Sequence, residues 1–128
     1  MAQKISIIVP VYNDPQGLDD TLKSLVAQDY PPDEYEIIVA DNGSPDSTVV
    51  VIRRYVAQYP VLVRCVVEDT VRSSYAARNK GIQEARGEIL AFTDADCVPE
   101  PDWIAVGVAA LQKEAAAAAG GRIEFTFR

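Results

Sequence analysis

Four short runs of aliphatic residues alternate with stretches of helical periodicity, and this alternation limits the chain to few architectures. Ile5, Ile7, Ile8, Val9 and Val11 form the first run, closed by Pro10-Val11-Tyr12-Asn13-Asp14. Leu18, Leu22, Leu25 and Val26 follow at the i, i+4, i+7, i+8 spacing of a helix face. Tyr35–Ala40 is the second run, ending at Asp41-Asn42-Gly43-Ser44. Ser44-Pro45 predicts a helix cap and first helical residue ahead of Val49, Ile52 and Val56. A third strand is predicted over Val61–Val67, a helix over Ser74–Ala85, and a fourth strand over Glu88–Phe92, with Gly87 resetting the chain before it. Trp103, Val106, Val108 and Leu111 then mark a helix that runs into five alanines. Gly120-Gly121 stops it before a last strand over Arg122–Phe127. Repeated strand–helix units predict an α/β fold, a Rossmann-like doubly wound sandwich with a mainly parallel sheet. The 128 residues make one domain.

In such folds ligands bind beyond the carboxyl ends of the strands, near the switch in strand order. Asp14, Asp41 and the pair Asp94/Asp96 all follow strands directly, so all are expected to face one crevice. The pair is the most chemically pointed feature. In Phe92-Thr93-Asp94-Ala95-Asp96 the two carboxylates lie two residues apart and point the same way on extended backbone. Like charges held together call for a cation or for good solvation. Mg²⁺ takes one or two carboxylates together with substrate phosphates. Pro10, Tyr12 and Asn13 offer a rigid turn, an aromatic face and an amide suited to a flat heterocycle. Arg78 and Lys80 place two cations within a helical turn, where they can meet a diphosphate. Each group also has an ordinary structural reading: a turn, an Asx cap at Asp41, a solvated basic face. Arg72, Lys23 and Arg86 are read as surface charges.

Other chemistries are excluded by what the chain lacks. A net charge of −7 argues against nucleic acid or anionic lipid as a partner. There is no histidine, which removes Ser-His-Asp hydrolysis and leaves Cys65 and Cys97 too few for zinc. Neither G-x-G-x-x-G nor G-x-x-x-x-G-K-[ST] follows a strand. No stretch approaches the roughly 20 apolar residues of a membrane span. The two cysteines sit in apolar runs, which predicts reduced thiols and a cytoplasmic setting, at a membrane face if a longer parent is tethered. What survives is metal-assisted departure of a phosphate or diphosphate from a bound nucleotide.

Ile5-Ser6-Ile7-Ile8-Val9-Pro10-Val11-Tyr12-Asn13, Ile37-Ile38-Val39-Ala40-Asp41-Asn42-Gly43-Ser44, Ala77-Arg78-Asn79-Lys80-Gly81-Ile82 and Phe92-Thr93-Asp94-Ala95-Asp96 occur in this order. Together they resemble the donor-binding half of family 2 glycosyltransferases, over residues 4 to about 124. The resemblance implies a nucleotide-diphospho-sugar transferase fold, truncated, and a fragment of a longer protein. It implies inverting transfer from a UDP-, GDP- or dTDP-linked sugar to a carbohydrate or lipid-linked carbohydrate acceptor. Pro10, Tyr12 and Asp14 match the motif that frames the nucleobase, and Asp41 matches the acid that contacts the nucleoside. Arg78 matches a position near base and diphosphate. Asp94 matches the acid near ribose and metal, and Asp96 the ligand of Mg²⁺ or Mn²⁺.

The family's acidic general base has no match here. Asp102 reads as a helix-start acid, Glu114 belongs to a helix face and Glu124 to the last strand, so no catalytic base is assigned within this chain. A non-catalytic nucleotide-sugar-binding or scaffold module is the alternative reading. A metal-dependent nucleotidyltransferase is the third, though it usually wants a Gly-rich basic loop where Asp14-Pro15-Gln16-Gly17 stands. The last strand is expected to leave a sheet edge open to self-association.

Overall fold

The computed structural model describes residues 4–114 and 124–127. The order is β1 (Ile5–Val11), α1 (Pro15–Val26), β2 (Tyr35–Asp41), α2 (Asp46–Gln58), β3 (Val63–Val67), α3 (Ser74–Glu84), β4 (Ile89–Phe92), α4 (Trp103–Glu114) and β5 (Glu124–Phe127). The five strands form one sheet in the order β3-β2-β1-β4-β5. β1 pairs in parallel with both β2 and β4, β2 in parallel with β3, and β5 runs antiparallel to β4. This is the mainly parallel α/β sheet that the alternation predicts. The five-alanine run and Gly120-Gly121 lie outside the described residues.

Side chains alternate across a strand, so each strand feeds two cores. Ile5, Ile7, Val9 and Val11 of β1 join Ile37 and Val39 of β2 and Ile89 and Ala91 of β4 on one face. Leu18, Leu22 and Leu25 of α1, Ile52 and Tyr55 of α2, and Ile104 and Leu111 of α4 cover that face. Ile8, Ile38, Leu90 and Phe92 point the other way, where α3 brings Ile82. Strands buried on both sides read as continuous apolar runs, hence the visibility of these elements in the sequence. α3 approaches the sheet closely because Gly81 has no side chain. A Cβ there would lie 2.7 Å from Ile8 Cγ2.

Two expected boundaries move. β3 begins pairing at Val63, opposite Ile37, while Val61 is 93% exposed and outside the strand. At α2 the cap is Pro45, with no side-chain cap bond, and the helix starts at Asp46. Ser44 is not a helix cap: its hydroxyl accepts the Asn13 amide at 3.0 Å, joining the loop after β2 to the loop after β1. Tertiary pairing outcompetes the local capping pattern.

At the amino-terminal end of the sheet Glu36 is a hub. One carboxylate oxygen accepts from Ser6 Oγ at 2.6 Å and from the Arg86 amide at 2.8 Å, the other from Arg64 Nε at 2.9 Å. Arg64 also donates to the Glu84 carbonyl. Burial pushes the Glu36 pKa up, but the bonds from Arg64, Ser6 and the Arg86 amide outweigh it, and the net shift is downward. A carboxyl depressed in the folded state adds stability above its unfolded pKa, and loses it as pH falls through the folded pKa. The melting temperature should therefore fall off on the acid side of the usual Glu range, roughly 4 to 5. Glu36→Gln is expected to lower the melting temperature at neutral pH and to flatten that acid limb. An unchanged acid slope in the variant would refute the role of Glu36.

Candidate functional site

β1 and β4 lie side by side although two strands and three helices separate them in the chain. The strand order reverses between them, which opens a crevice beyond their carboxyl ends. A cavity of about 90 Å³ sits there, lined by Pro10, Val11, Tyr12, Asn42, Ser74, Ala77 and Asp94. Alternation explains most of this set. Pro10 shares the face of Ile8, and Asp94 that of Phe92, the α3 side of the sheet.

The loops around the cavity are stitched together by side chains. Asn13 has φ 51°, a left-handed conformation asparagine tolerates better than most residues, and its amide is held by Ser44. Asn42 is buried, and its amide nitrogen donates to the carbonyls of Glu68 at 2.6 Å and Val71 at 2.8 Å. The Glu68 carboxylate in turn accepts from the Thr70 and Val71 amides. This bracing delivers Arg72, whose guanidinium carbon lies 3.9 Å from the centre of the Tyr12 ring. Arg72 is thus not a plain surface charge. It covers the aromatic face that the sequence marks for a flat ring. The partner ring stands 60 positions earlier, so only the placement of Arg72 in a third strand-end loop hinted at it.

Past β4 the chain keeps its alternation for four residues. Thr93 and Ala95 are buried while Asp94 is half-buried and Asp96 exposed. Both carboxylates therefore face outward from a turn, closed by the Cys97 amide on the Asp94 carbonyl at 3.0 Å, and not from the extended backbone expected for the pair. The candidate ligand atoms of Asp94, Asp96 and Cys97 lie within 4.8 Å of one another. Two carboxylates suit a hard cation such as Mg²⁺ or Mn²⁺, whereas the soft thiol of Cys97 does not. The donor set thus fits a metal that shares its remaining positions with phosphate oxygens. Cys97 and Cys65 are both free thiols.

The remaining expected residues divide. Pro10, Tyr12 and Asp94 come together on the cavity. Asp14 stands at the same edge but caps α1, one carboxylate oxygen accepting the Gly17 amide at 3.0 Å. Asp41 is 5% exposed and accepts the Ser44 amide at 3.1 Å, forming the Asx-type turn that its local sequence also allowed. Its side chain borders a different groove, with Val49 and Ile52 of α2 and Cys65 and Val67 of β3. Arg78 lies over the Phe92 ring at 4.3 Å, beside a depression it shares with Tyr75, Asn79 and Ile82. The acids expected to face one crevice share one edge of the sheet, where Asp94 lines the 90 Å³ cavity and Asp41 lines the groove against α2. Asp102 is exposed immediately before α4, its carbonyl accepting the Val106 amide.

Known proteins carry the same frame. Glycosyltransferase AglE of Haloferax volcanii is 40% identical over 123 residues, which are 96% of this chain and 40% of that protein. The mannosyltransferase PcManGT of Pyrobaculum calidifontis, solved in complex with GDP-Man and Mn²⁺, superposes with a TM-score of 0.90. It is 27% identical, and the match covers all of this chain and 45% of that one. Staphylococcus aureus TarS in complex with UDP-GlcNAc superposes with a TM-score of 0.76 at 26% identity, over 90% of this chain and 33% of that one. The chain therefore spans less than half the length of each of these relatives. Residues 6–127 match the family described as Glycosyl transferase family 2, and the chain belongs to that family.

Proposed function

We propose that this chain is the donor-binding part of an inverting glycosyltransferase, taking a nucleotide-diphospho-sugar together with a divalent cation. The observation that supports the reading most is the meeting of Pro10, Tyr12 and Asp94 on one cavity at the strand-order switch, in a chain of this family. Tyr12 offers the nucleobase a ring face, already covered by a guanidinium, so a base would meet Tyr12 and Arg72 together. Asp41 and Asp14 complete the base and ribose surroundings in this reading, and Arg78 attends the diphosphate. Asp96, with Asp94, would hold Mg²⁺ or Mn²⁺. When bound, the cation supplies charge neutralisation to the departing diphosphate.

The chain's own residues do the rest: the walls orient the nucleotide, and the two carboxylates set where its phosphates lie. The acceptor is a carbohydrate or lipid-linked carbohydrate, and the base that activates its hydroxyl is left outside the assigned residues. Among the described residues no helix is long and apolar enough to cross a membrane.

Isothermal titration of the 128-residue chain with UDP, GDP and dTDP, with and without Mn²⁺, tests the reading. Binding of at least one of them is expected to strengthen about tenfold or more with the metal, a gain of about 1.4 kcal/mol. Metal-independent affinities for all three would overturn it.

A further inference from the structure

Helix α1 does more than cover the sheet, because one of its faces grips the segment that follows β4. Thr21 is fully buried, and a threonine hydroxyl inside a helix ordinarily bonds to a carbonyl of its own preceding turn. Here it turns outward to the neighbouring loop. Thr21 Oγ1 lies 2.5 Å from the Cys97 carbonyl oxygen, 2.7 Å from that of Ala95 and 3.4 Å from that of Asp94. The turn closes on itself through the Cys97 amide, which donates to the Asp94 carbonyl at 3.0 Å.

Just beyond the end of α1, Gln28 reaches the next stretch of the same segment. Its Nε2 donates to the Glu100 carbonyl at 2.7 Å and its Oε1 accepts the Ile104 amide at 2.9 Å. The Asp29 amide, just beyond α1, donates to the Pro101 carbonyl.

We propose that Thr21 is a positioning residue for the acid pair: its buried hydroxyl, at the focus of three carbonyls of the 94–97 turn, holds Asp94 and Asp96 aimed at one ligand. A hydroxyl has a single proton, so it donates to one carbonyl at a time. Its position inside the curve nonetheless sets the radius of the turn, since each of the three carbonyls packs around the same oxygen. Ala95 is drawn inward, which leaves the residues on either side of it directed outward. Two like charges gain nothing from proximity to one another, so the turn needs an anchor on its inner side. Gln28 anchors only the later part, from Glu100 to Ile104, and serves stability alone. The inference rests on the proposed reading of Asp94 and Asp96 as the metal and donor site.

The test compares Thr21→Val, Thr21→Ser and Gln28→Ala with the unaltered chain. Each is titrated with Mn²⁺ alone, read by loss of the free-ion paramagnetic resonance signal, and with the nucleoside diphosphate that binds the unaltered chain. Melting temperature is measured in parallel. Thr21→Val keeps the shape and removes the donor, and is expected to weaken Mn²⁺ about tenfold, within the range for residues that orient ligands. Thr21→Ser is expected to stay within about twofold of the unaltered chain. Gln28→Ala is expected to melt earlier with its Mn²⁺ affinity unchanged.

Equal affinities for Thr21→Val and the unaltered chain would overturn the positioning role and leave the donor site standing. So would a loss in Gln28→Ala as large as in Thr21→Val, because the effect would then follow stability. An unaltered chain that binds neither Mn²⁺ nor any nucleoside diphosphate would sink the donor-site reading itself, and the inference with it. Should Thr21→Val lack a cooperative melting transition, Thr21→Ala takes its place under the same expectations.

Discussion

Asp96→Ala is expected to remove the metal-dependent part of nucleotide binding, weakening it at least about 100-fold, while the protein melts no earlier than the unaltered chain. The size follows from a bound: residues that only orient a metal's ligands cost about 10- to 100-fold when mutated, so a ligand itself should cost at least the upper end. The thermal half of the expectation follows from exposure and charge. Asp96 is exposed, so truncating it removes little packed surface. Its carboxylate also shares a small region with that of Asp94, so deleting one of two like charges relieves repulsion in the metal-free protein. Titration calorimetry with Mn²⁺ and the preferred nucleotide, paired with a melting curve, reads both quantities. A variant that keeps metal-dependent affinity within about threefold would remove Asp96 from the site. One that loses affinity only by unfolding would show a structural acid.

The same residues show what the sequence could and could not reveal. β1, β2 and β4 were legible because they are buried on both faces, and Ile5–Val11 or Ile89–Phe92 leave no other reading for so many adjacent aliphatic side chains. The outward aim of Asp94 and Asp96 was only half legible: Asp94 keeps the strand's two-residue period past Phe92, but Asp96 is aimed by a turn closed by the Cys97 amide on the Asp94 carbonyl, which extended backbone does not describe. What failed to show was everything set by pairing across the sheet. Whether Asp41 or Asn42 would line the cavity turns on which of two adjacent positions faces α3, and the composition of the loop is silent on that. Ser44 carries a good helix-capping pattern yet serves the Asn13 amide, a choice made by the proximity of two loops 31 residues apart. The roles of Arg72 and Thr21 escape the sequence for the same reason. Each is an ordinary residue for its own element and acquires a role only through a partner far along the chain.

Gly87→Ala is expected to give the opposite signature, a large loss of stability with the nucleotide site intact in the molecules that fold. Read alone, Gly87 only resets the chain between α3, which ends at Glu84, and β4. Its glycine is required by an approach to β1. A Cβ at Gly87 would stand 2.7 Å from the Ser6 nitrogen and 2.8 Å from both the Ile5 carbonyl carbon and the Lys4 oxygen. All three are backbone atoms at the start of β1, the middle strand of the sheet, so no side chain can rotate away. Relief requires the start of β4 to move off β1. That movement endangers the Gly87 amide bond to Ser6 Oγ at 2.8 Å and the bonds from the Glu88 and Ile89 amides to the Lys4 carbonyl. Overpacking of this kind costs about 1–3 kcal/mol, and each compromised hydrogen bond adds about 1 kcal/mol. A melting temperature lower by on the order of 10 °C follows for a domain of this size. Gly81→Ala is the informative comparison, since its neighbour is the Ile8 side chain and alanine returns about 1 kcal/mol of helix propensity. It should lose clearly less. Because Asp94 lies beyond the far end of β4 from Gly87, folded Gly87→Ala is expected to bind nucleotide within about twofold of the unaltered chain, as separated sites act independently. Urea unfolding monitored with and without saturating ligand separates the two effects. A Gly87→Ala midpoint within error of the original would mean that β4 yields at no cost, and the close β1–β4 approach would lose its claim to set the sheet.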